Sequence, residues 1–421
     1  IKGNGKKFGR KNRAKESPMK IGKHRTLRAL LTGVLAGAMI TAARYLIHIG
    51  HGKMQALLAN PVAFSFVYAV FACVIYFLLQ KEPLIAGGKI PDVRAQTDAL
   101  EGKWRSVIPY KFFGAVLTLS SGLTMGIEGP SVQIGGFTGQ MLAGEDDARL
   151  RHDLVGAGVA GALGAAFQAP LTGILFAMEA VHHSMRKSGM ITAMLGGIGG
   201  TVVSSAFFGD SPVVMFTGLT ELGTEHIVPI LTLAVLLGAF GALFQILVVP
   251  ATKLMEKLPR FARTCVPFAV TAAALFAMPA LFGSGEHLLM DLASLGDTAG
   301  LLFALKFLLL VLCAASGLPG GIFFPVLVLG ALGGTALGSL FVSAGLLAPA
   351  YLVPFALVAM AGFFAAIVRT PLTAVALVLE MTGAFTMLLP LVTVSIVAAL
   401  IARFLVELAH VPQPVQSLKE E

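Results

Sequence analysis

The chain has 421 residues, of which 56% are apolar and only 13% are charged. A soluble globular domain typically carries about 25% charged residues, so this composition excludes a water-soluble enzyme of this size. The 48 glycines are typical of membrane proteins in which small residues let helices approach closely. We therefore expect an all-α integral membrane protein.

The formal net charge of +9 is concentrated at the N-terminal end of the chain. Residues 1–28 carry eleven Lys and Arg residues and one acid. Because basic residues beside apolar segments stay on the cytoplasmic side, we expect this tail to be cytoplasmic and to touch anionic lipid rather than nucleic acid. No cleavable signal peptide is indicated. The protein is expected in the inner or plasma membrane of a prokaryote.

Apolar runs follow one another along the rest of the chain. They lie near 27–50, 60–79, 107–127, 154–180, 189–208, 226–251, 264–283, 300–315, 322–345, 351–368, 371–382 and 386–409. Several reach the roughly 20 residues that a membrane crossing needs. Others are short or broken by Gly and Pro, which is tolerated at membrane depth only where protein or a water-filled cavity satisfies the backbone.

These runs predict one membrane domain at 29–409, followed by a short tail at 410–421. An internal repeat divides the domain into halves at about 29–208 and 226–409. Pro-Leu-Thr begins at Pro170 and at Pro371, and a glutamate follows nine residues after each proline, at Glu179 and Glu380. Two halves with broken helices are typical of transporters built from structural repeats. The sequence leaves open whether the halves are parallel or inverted.

Three segments place glycine and proline where a helix should begin. They are Gly87-Gly88-Lys89-Ile90-Pro91, Gly126-Ile127-Glu128-Gly129-Pro130 and Gly320-Gly321-Ile322-Phe323-Phe324-Pro325. Proline suits the first helical turn, and the free N–H groups and positive dipole end there form an anion site without a fixed cation. Such a site suits a permeant ion, which must be bound weakly enough to leave. The alternative is that these segments are plain loops between helices.

Glu128 is the only charged residue from Phe112 to Gly144. An acid in an apolar stretch is costly and indicates a functional role, and an apolar setting favours its protonated form. We interpret Glu128 as a gate for anions, with a simple helix cap as the alternative. Glu179 and Glu380 are expected to be helix-end carboxylates held by backbone or a basic partner.

The remaining intramembrane candidates have structural interpretations. Lys306 is expected to extend to the membrane surface, and Arg369 to pair with a carboxylate. Phe323 and Phe324 fit core packing or a pore lining equally well. The three cysteines have no metal-ligand spacing and indicate neither a disulfide framework nor a zinc site: Cys73, Cys265 and Cys313. No metal and no cofactor is expected.

Together these segments resemble the CLC family of chloride channels and anion–proton exchangers. Gly126–Pro130 is similar to the family's G-K/R-E-G-P, Gly321–Pro325 to G-x-F-x-P and Gly87–Pro91 to G-S-G-I-P. The segments occur in the expected order, and the resemblance covers about 27–409.

The resemblance implies a fold of many tilted and broken helices in two inverted repeats. It also implies a homodimer with one anion pathway in each subunit and a filter built from helix N-termini. Glu128 would be the external gating glutamate. The N–H groups of Ile322 and Phe323 would contact the central anion, and the break at Gly88 would form part of the inner side.

The chain departs from the family pattern at four positions. Gly88 stands where a filter serine is usual, and Ile127 where a basic residue is usual. Gln416 lies near the expected place of a filter tyrosine. In the pair Glu179-Ala180, Ala180 occupies the internal proton-transfer position of exchangers. These departures predict a wider, less selective inner constriction, and they leave passive conduction and proton-coupled exchange as alternatives.

The leading functional hypothesis is transport of chloride or a similar small anion, gated by Glu128. Fluoride export is an alternative, because fluoride-handling relatives also depart at the filter serine and the internal glutamate. A cation-coupled solute transporter would need several carboxylates near the breaks, and only Glu128 is there. An intramembrane hydrolase using Ser316 would need His48 and a third residue that the sequence does not supply.

Overall fold

The computed structural model describes residues 23–88, 102–144, 148–182, 187–211, 214, 216, 220–296 and 298–410. Within these ranges the regular structure is helical apart from one isolated bridge between two glycines, which confirms the expected all-α class. Lys89, Ile90, Pro91 and Gln416 lie outside the described residues, as do 1–22 and 411–421.

Fifteen α-helices follow one another in the described part of the chain. The first seven are α1 (Lys23–Leu57), α2 (Pro61–Lys81), α3 (Trp104–Ser120), α4 (Glu128–Ala143), α5 (Ala148–Phe167), α6 (Pro170–Phe176) and α7 (Lys187–Phe208). The other eight are α8 (Ile227–Glu256), α9 (Arg260–Ala277), α10 (Leu292–Leu295), α11 (Thr298–Ser316), α12 (Phe323–Ser343), α13 (Leu352–Val368), α14 (Pro371–Thr382) and α15 (Leu388–Leu408). A π-helical segment, Ala177–His182, extends α6.

Nine helical segments of the described residues are long and apolar enough to cross a membrane. The outer helices expose large apolar side chains such as Phe66, Val202 and Leu400, as a lipid-facing surface requires. Helices α4 and α5 are buried along most of their length instead. The chain is therefore a multi-pass membrane protein with an inner layer of helices shielded from lipid.

The glycine excess allows the helices of the first half to pack backbone against backbone. A Cβ built on Gly33 of α1 would lie 2.1 Å from the carbonyl oxygen of Gly196 in α7. One built on Gly200 would lie 2.1 Å from the carbonyl oxygen of Gly161 in α5. Any larger residue would push these helices apart, so the small residues fix the helix spacing.

The two Pro-Leu-Thr segments contact each other reciprocally. The Glu380 carboxylate accepts hydrogen bonds from the N–H and the hydroxyl of Thr172, both at 2.7 Å. The Glu179 carboxylate accepts from the N–H (2.9 Å) and the hydroxyl (2.8 Å) of Thr373. Each half thus supplies the carboxylate that caps the first turn of the other half's short helix. Such exchanged contacts are those of two copies related by a two-fold axis.

The chain turns in the same way ahead of both short helices. Gln168 and Arg369 have φ values of 54° and 63°, a left-handed conformation that is uncommon for residues other than glycine. Each ends a long helix two residues before the proline that begins the next one. The Arg369 side chain donates to the Gln245 side-chain oxygen at 2.8 Å.

Candidate functional site

Two of the predicted breaks are joined through their backbones. The N–H of Gly126 donates to the Gly321 carbonyl at 2.8 Å, and the N–H of Gly321 donates to the Gly126 carbonyl at 2.7 Å. Gly126 precedes α4 in the first half, and Gly321 precedes α12 in the second half. The pair therefore holds the N-termini of two helices from opposite halves side by side.

The third break meets the other two at the same place. A Cβ built on Gly88 would lie 2.9 Å from the Gly320 carbonyl oxygen and 3.0 Å from the Gly129 Cα. One built on Gly129 would lie 2.8 Å from the Gly321 Cα. The backbones of the three breaks therefore approach one another closely at this point, which small residues allow. We call Gly88, Gly126, Gly129 and Gly321 the glycine junction.

Glu128 is the first residue of α4 and lies against this junction. Its side chain is 2% exposed, and the carboxylate folds back over Gly126. Oε2 accepts a 3.4 Å hydrogen bond from the N–H of Phe324 in the first turn of α12. A carboxylate from one half therefore lies at a helix N-terminus of the other half, where an anion is favoured.

The two phenylalanines of the third break have different surroundings. Phe323 packs edge-on against Phe176 at 5.3 Å and Phe364 at 5.1 Å between ring centroids. Phe324 stacks on Phe167 with 6.4 Å between ring centroids. It also lines a cavity beside Glu128. Phe323 is thus a core residue, whereas Phe324 contributes both to the core and to a cavity wall.

A cavity of about 270 Å³ opens next to Glu128; we call it the Glu128 cavity. It is lined by Arg44, Ile47, His48, His51, Leu119, Met125, Gly126, Ile127, Glu128, Ala166, Phe208, Ser284, Glu286 and Phe324. Gly88 is not among the lining residues. The sequence interpretation missed the role of the polar wall, which α1 and the loop after α9 provide.

Arg44 is the cation of this wall, and its position is fixed. One guanidinium nitrogen, Nη1, donates to the Ala165 carbonyl at 2.7 Å and to the Ser204 hydroxyl at 2.8 Å. The guanidinium also lies 4.3 Å from the ring centroid of Phe208, a cation–π distance. Arg44 is close enough to Glu128 and Glu286 to be attracted by both carboxylates.

A fourth break, which the sequence reading missed, faces the cavity at Gly283-Ser284-Gly285. The N–H of Gly283 donates to the Gly122 carbonyl at 2.8 Å, and the N–H of Gly87 donates to the Gly317 carbonyl at 3.0 Å. Gly283 and Gly87 share the same left-handed backbone, with φ values of 63° and 64°. The segment is therefore the second-half counterpart of the Gly87-Gly88 break.

Two buried lysines hold these two counterpart breaks. Lys306 is 1% exposed and donates to the carbonyls of Leu281 (3.1 Å) and Gly283 (2.9 Å). The expectation that it extends to the membrane surface is wrong, because the carbonyls of the break satisfy its ammonium in place of water. Lys111, fully buried, donates in the same way to the carbonyls of Ile85 and Gly87.

The internal position at Glu179 and Ala180 and the hydrolase candidate Ser316 do not line the Glu128 cavity. The Glu179 carboxylate is engaged with the first turn of α14, and Ala180 beside it is half-buried. The Ser316 hydroxyl donates to the Cys313 carbonyl at 2.7 Å. Ser316 is absent from the cavity wall that holds His48, so the described structure does not assemble the hydrolase pair.

The sequence profile of the voltage-gated chloride channel family matches residues 70–403. The chain belongs to this family. This confirms the resemblance seen in the motifs, and because the family is one of channels and transporters, the protein is not an enzyme.

A relative named H(+)/Cl(-) exchange transporter ClcA from Vibrio vulnificus is 34% identical over 410 residues, 89% of this chain and 85% of the relative. The protein of that name from Vibrio cholerae is 33% identical over 416 residues, 90% of this chain and 86% of the relative.

Solved structures of the family share the fold. A slow cyanobacterial Cl-/H+ antiporter superimposes with a TM-score of 0.81 at 24% identity, covering 91% of this chain and 95% of that one. A CLC-type fluoride/proton antiporter superimposes with a TM-score of 0.72 at 21% identity, covering 90% and 95%. The expected CLC-type fold is confirmed.

Proposed function

We propose that the protein moves chloride or a similarly small inorganic anion across a membrane, with Glu128 as the gate. One observation carries the proposal: the Glu128 carboxylate lies at the glycine junction and accepts the N–H of Phe324. Backbone amides at helix N-termini bind anions without a fixed cation, and a carboxylate in that position stands in for one. When the carboxylate swings aside or takes up a proton, the amides become available to a permeant anion.

We infer proton-coupled exchange as the mode of transport. Two observations support it: the relatives at 33–34% identity are named H(+)/Cl(-) exchange transporters, and the gate is itself a titratable group. Ala180 favours passive conduction instead, because an alanine at the internal position cannot carry a proton. The transport assay below distinguishes the two modes.

The protein is proposed to act as a homodimer with a pathway in each subunit. The short helices α6 and α14 expose Leu171 and Leu372, and the Glu179 and Glu380 carboxylates beside them are only half-buried. A carboxylate on a lipid-facing surface is costly. A second copy of the chain covering this face would remove both groups from lipid.

The basic end of α1 is proposed to lie in the cytoplasm of a bacterial cell. The 35 residues of α1 span about 50 Å, and Arg44 and His48 lie on its C-terminal half. If residues 1–28 follow the positive-inside rule, the Glu128 cavity opens to the outside and Gly88 lies on the inner side of the gate. The relatives from Vibrio are bacterial.

The decisive experiment is ion flux in proteoliposomes that contain the purified chain. With an imposed chloride gradient and no proton gradient, we expect chloride efflux to drive protons uphill, and Glu128→Gln to abolish proton movement. Glu256→Gln, at the exposed end of α8, is the matched control and should behave as wild type. Chloride flux without proton movement would indicate passive conduction, and fluoride flux alone would indicate fluoride export. No flux of either anion would overturn the proposal.

A further inference from the structure

We propose a second anion-binding position in the Glu128 cavity, outside the gate, formed by the Arg44 guanidinium and the Ser284 hydroxyl. Its ligand is a small monovalent anion. The Glu286 carboxylate competes with that anion for the Arg44 guanidinium. The inference rests on the proposed function and deepens it. It gives the anion a place to bind before Glu128 moves.

Arg44 supplies a cation that cannot turn away from the cavity. Both hydrogens of Nη1 are engaged, by Ala165 and Ser204, and Phe208 covers one side of the guanidinium. The Nε and Nη2 donors have no partner among the described residues, and Arg44 lines the cavity. A guanidinium held by three contacts with donors left over is preorganised for an anion.

Ser284 supplies a hydroxyl donor at a fixed place on the same cavity wall. The residue before it, Gly283, is bound through its N–H by Gly122 and through its carbonyl by Lys306. The Ser284 side chain has no hydrogen-bond partner in the described part of the chain, and it lines the cavity. The Ser284 hydroxyl and the Arg44 guanidinium therefore give one cavity two donors of different kinds for an anion.

Glu286 opposes the binding of an anion at this position. Its carboxylate lines the cavity and attracts Arg44, yet no described ion pair joins either Glu128 or Glu286 to Arg44. The loop carboxylate therefore shares one cation with the gate, and an anion entering the cavity must compete with it.

The test is the chloride concentration that half-saturates exchange of radioactive chloride, measured with equal chloride on both sides. The assay runs at one fixed pH for wild type and for every variant. Arg44→Gln should raise the half-saturating concentration about three- to tenfold, and Glu286→Gln should lower it by a similar factor, the size expected for one partly screened charge. Ser284→Ala should raise it less. Glu256→Gln is the control.

The two variants are expected to change the half-saturating chloride concentration in opposite directions, and this makes the result decisive. Damage to the fold would impair both variants in the same direction, whereas the inference requires them to diverge. Glu286→Gln decides alone if Arg44→Gln does not fold, because Glu286 lies in a loop with an exposed side chain. A transporting wild type whose half-saturation is unchanged by Glu286→Gln overturns this inference and leaves the proposed function standing. A wild type without anion flux overturns the proposed function itself.

Discussion

A methyl group at position 126 should open the gate without disturbing the pathway. The three atoms nearest to a Cβ built on Gly126 all belong to the carboxyl group of Glu128, with Oε2 at 2.1 Å, Cδ at 2.9 Å and Oε1 at 3.1 Å. The φ of Gly126 lies outside the left-handed region, so alanine fits the backbone. Because the obstructing atoms end a flexible side chain, the carboxylate rather than the junction should give way.

The expected size follows from the bond that is lost. Displacing the carboxylate breaks its 3.4 Å hydrogen bond with the Phe324 N–H, and a bond of that length contributes about 1 kcal/mol. That loss shifts the gate population away from the closed position by roughly fivefold. Chloride flux of Gly126→Ala at alkaline pH should therefore rise towards the acid-pH value of wild type, and the pH dependence should flatten.

The assay is chloride efflux from proteoliposomes across a pH series, with Gly129→Ala as the matched comparison. A Cβ on Gly129 would lie 2.8 Å from the Gly321 Cα, so that variant must force the backbones of the junction apart and should lose flux. The two variants carry the same chemical change three residues apart. A Gly126→Ala protein that keeps the wild-type pH profile, or loses flux as Gly129→Ala does, would refute the gate geometry.

Three further outcomes are expected. Gly88→Ser should change the ratio of chloride flux to fluoride flux relative to Gly88→Ala. Both variants crowd the Gly320 carbonyl, but only serine adds a hydroxyl donor, so equal flux ratios would contradict this prediction. Lys306→Met should lower the melting temperature in detergent, since two buried carbonyls lose a charged donor at a cost of about 2–5 kcal/mol; an unchanged melting temperature would argue against the clamp. Glu179→Gln and Glu380→Gln should each destabilise by about 1 kcal/mol, measured by thermal unfolding, and a clear inequality between them would contradict the two-fold arrangement.

The sequence was sufficient for the fold class and for the positions where the helices break. Glycine and proline mark helix starts through backbone geometry that is local, so Gly126–Pro130 and Gly321–Pro325 could be placed before any contact was known. Glu128 stood out for an equally local reason, because it is an isolated charge in an apolar run. The repeat at Pro170 and Pro371 was visible because its spacing to a glutamate is conserved between the two copies.

The polar wall of the cavity could not be inferred in the same way. Arg44 and Glu286 are far apart in the chain, and the sequence does not show that they line one cavity. Arg44 did leave a local signal, because it is the only charged residue from Ala29 to Gly52. The two buried lysines did leave a signal, because Lys111 and Lys306 each lie 17 residues before the start of the helix that follows, α4 or α12. That signal has meaning only once the helix starts are known to correspond.

The hydrogen bonds of three carboxylates support the proposal that Glu128 is a gate rather than a cap. Glu179 and Glu380 each accept bonds of 2.7–2.9 Å from both an N–H and a hydroxyl of one threonine in the other half. Glu128 accepts one bond of 3.4 Å from the other half. Several short bonds to a charge hold a carboxylate more firmly than one long bond. Glu179 and Glu380 are therefore firmly held caps that join the halves, whereas the single long bond of Glu128 supports its proposed exchange with an anion.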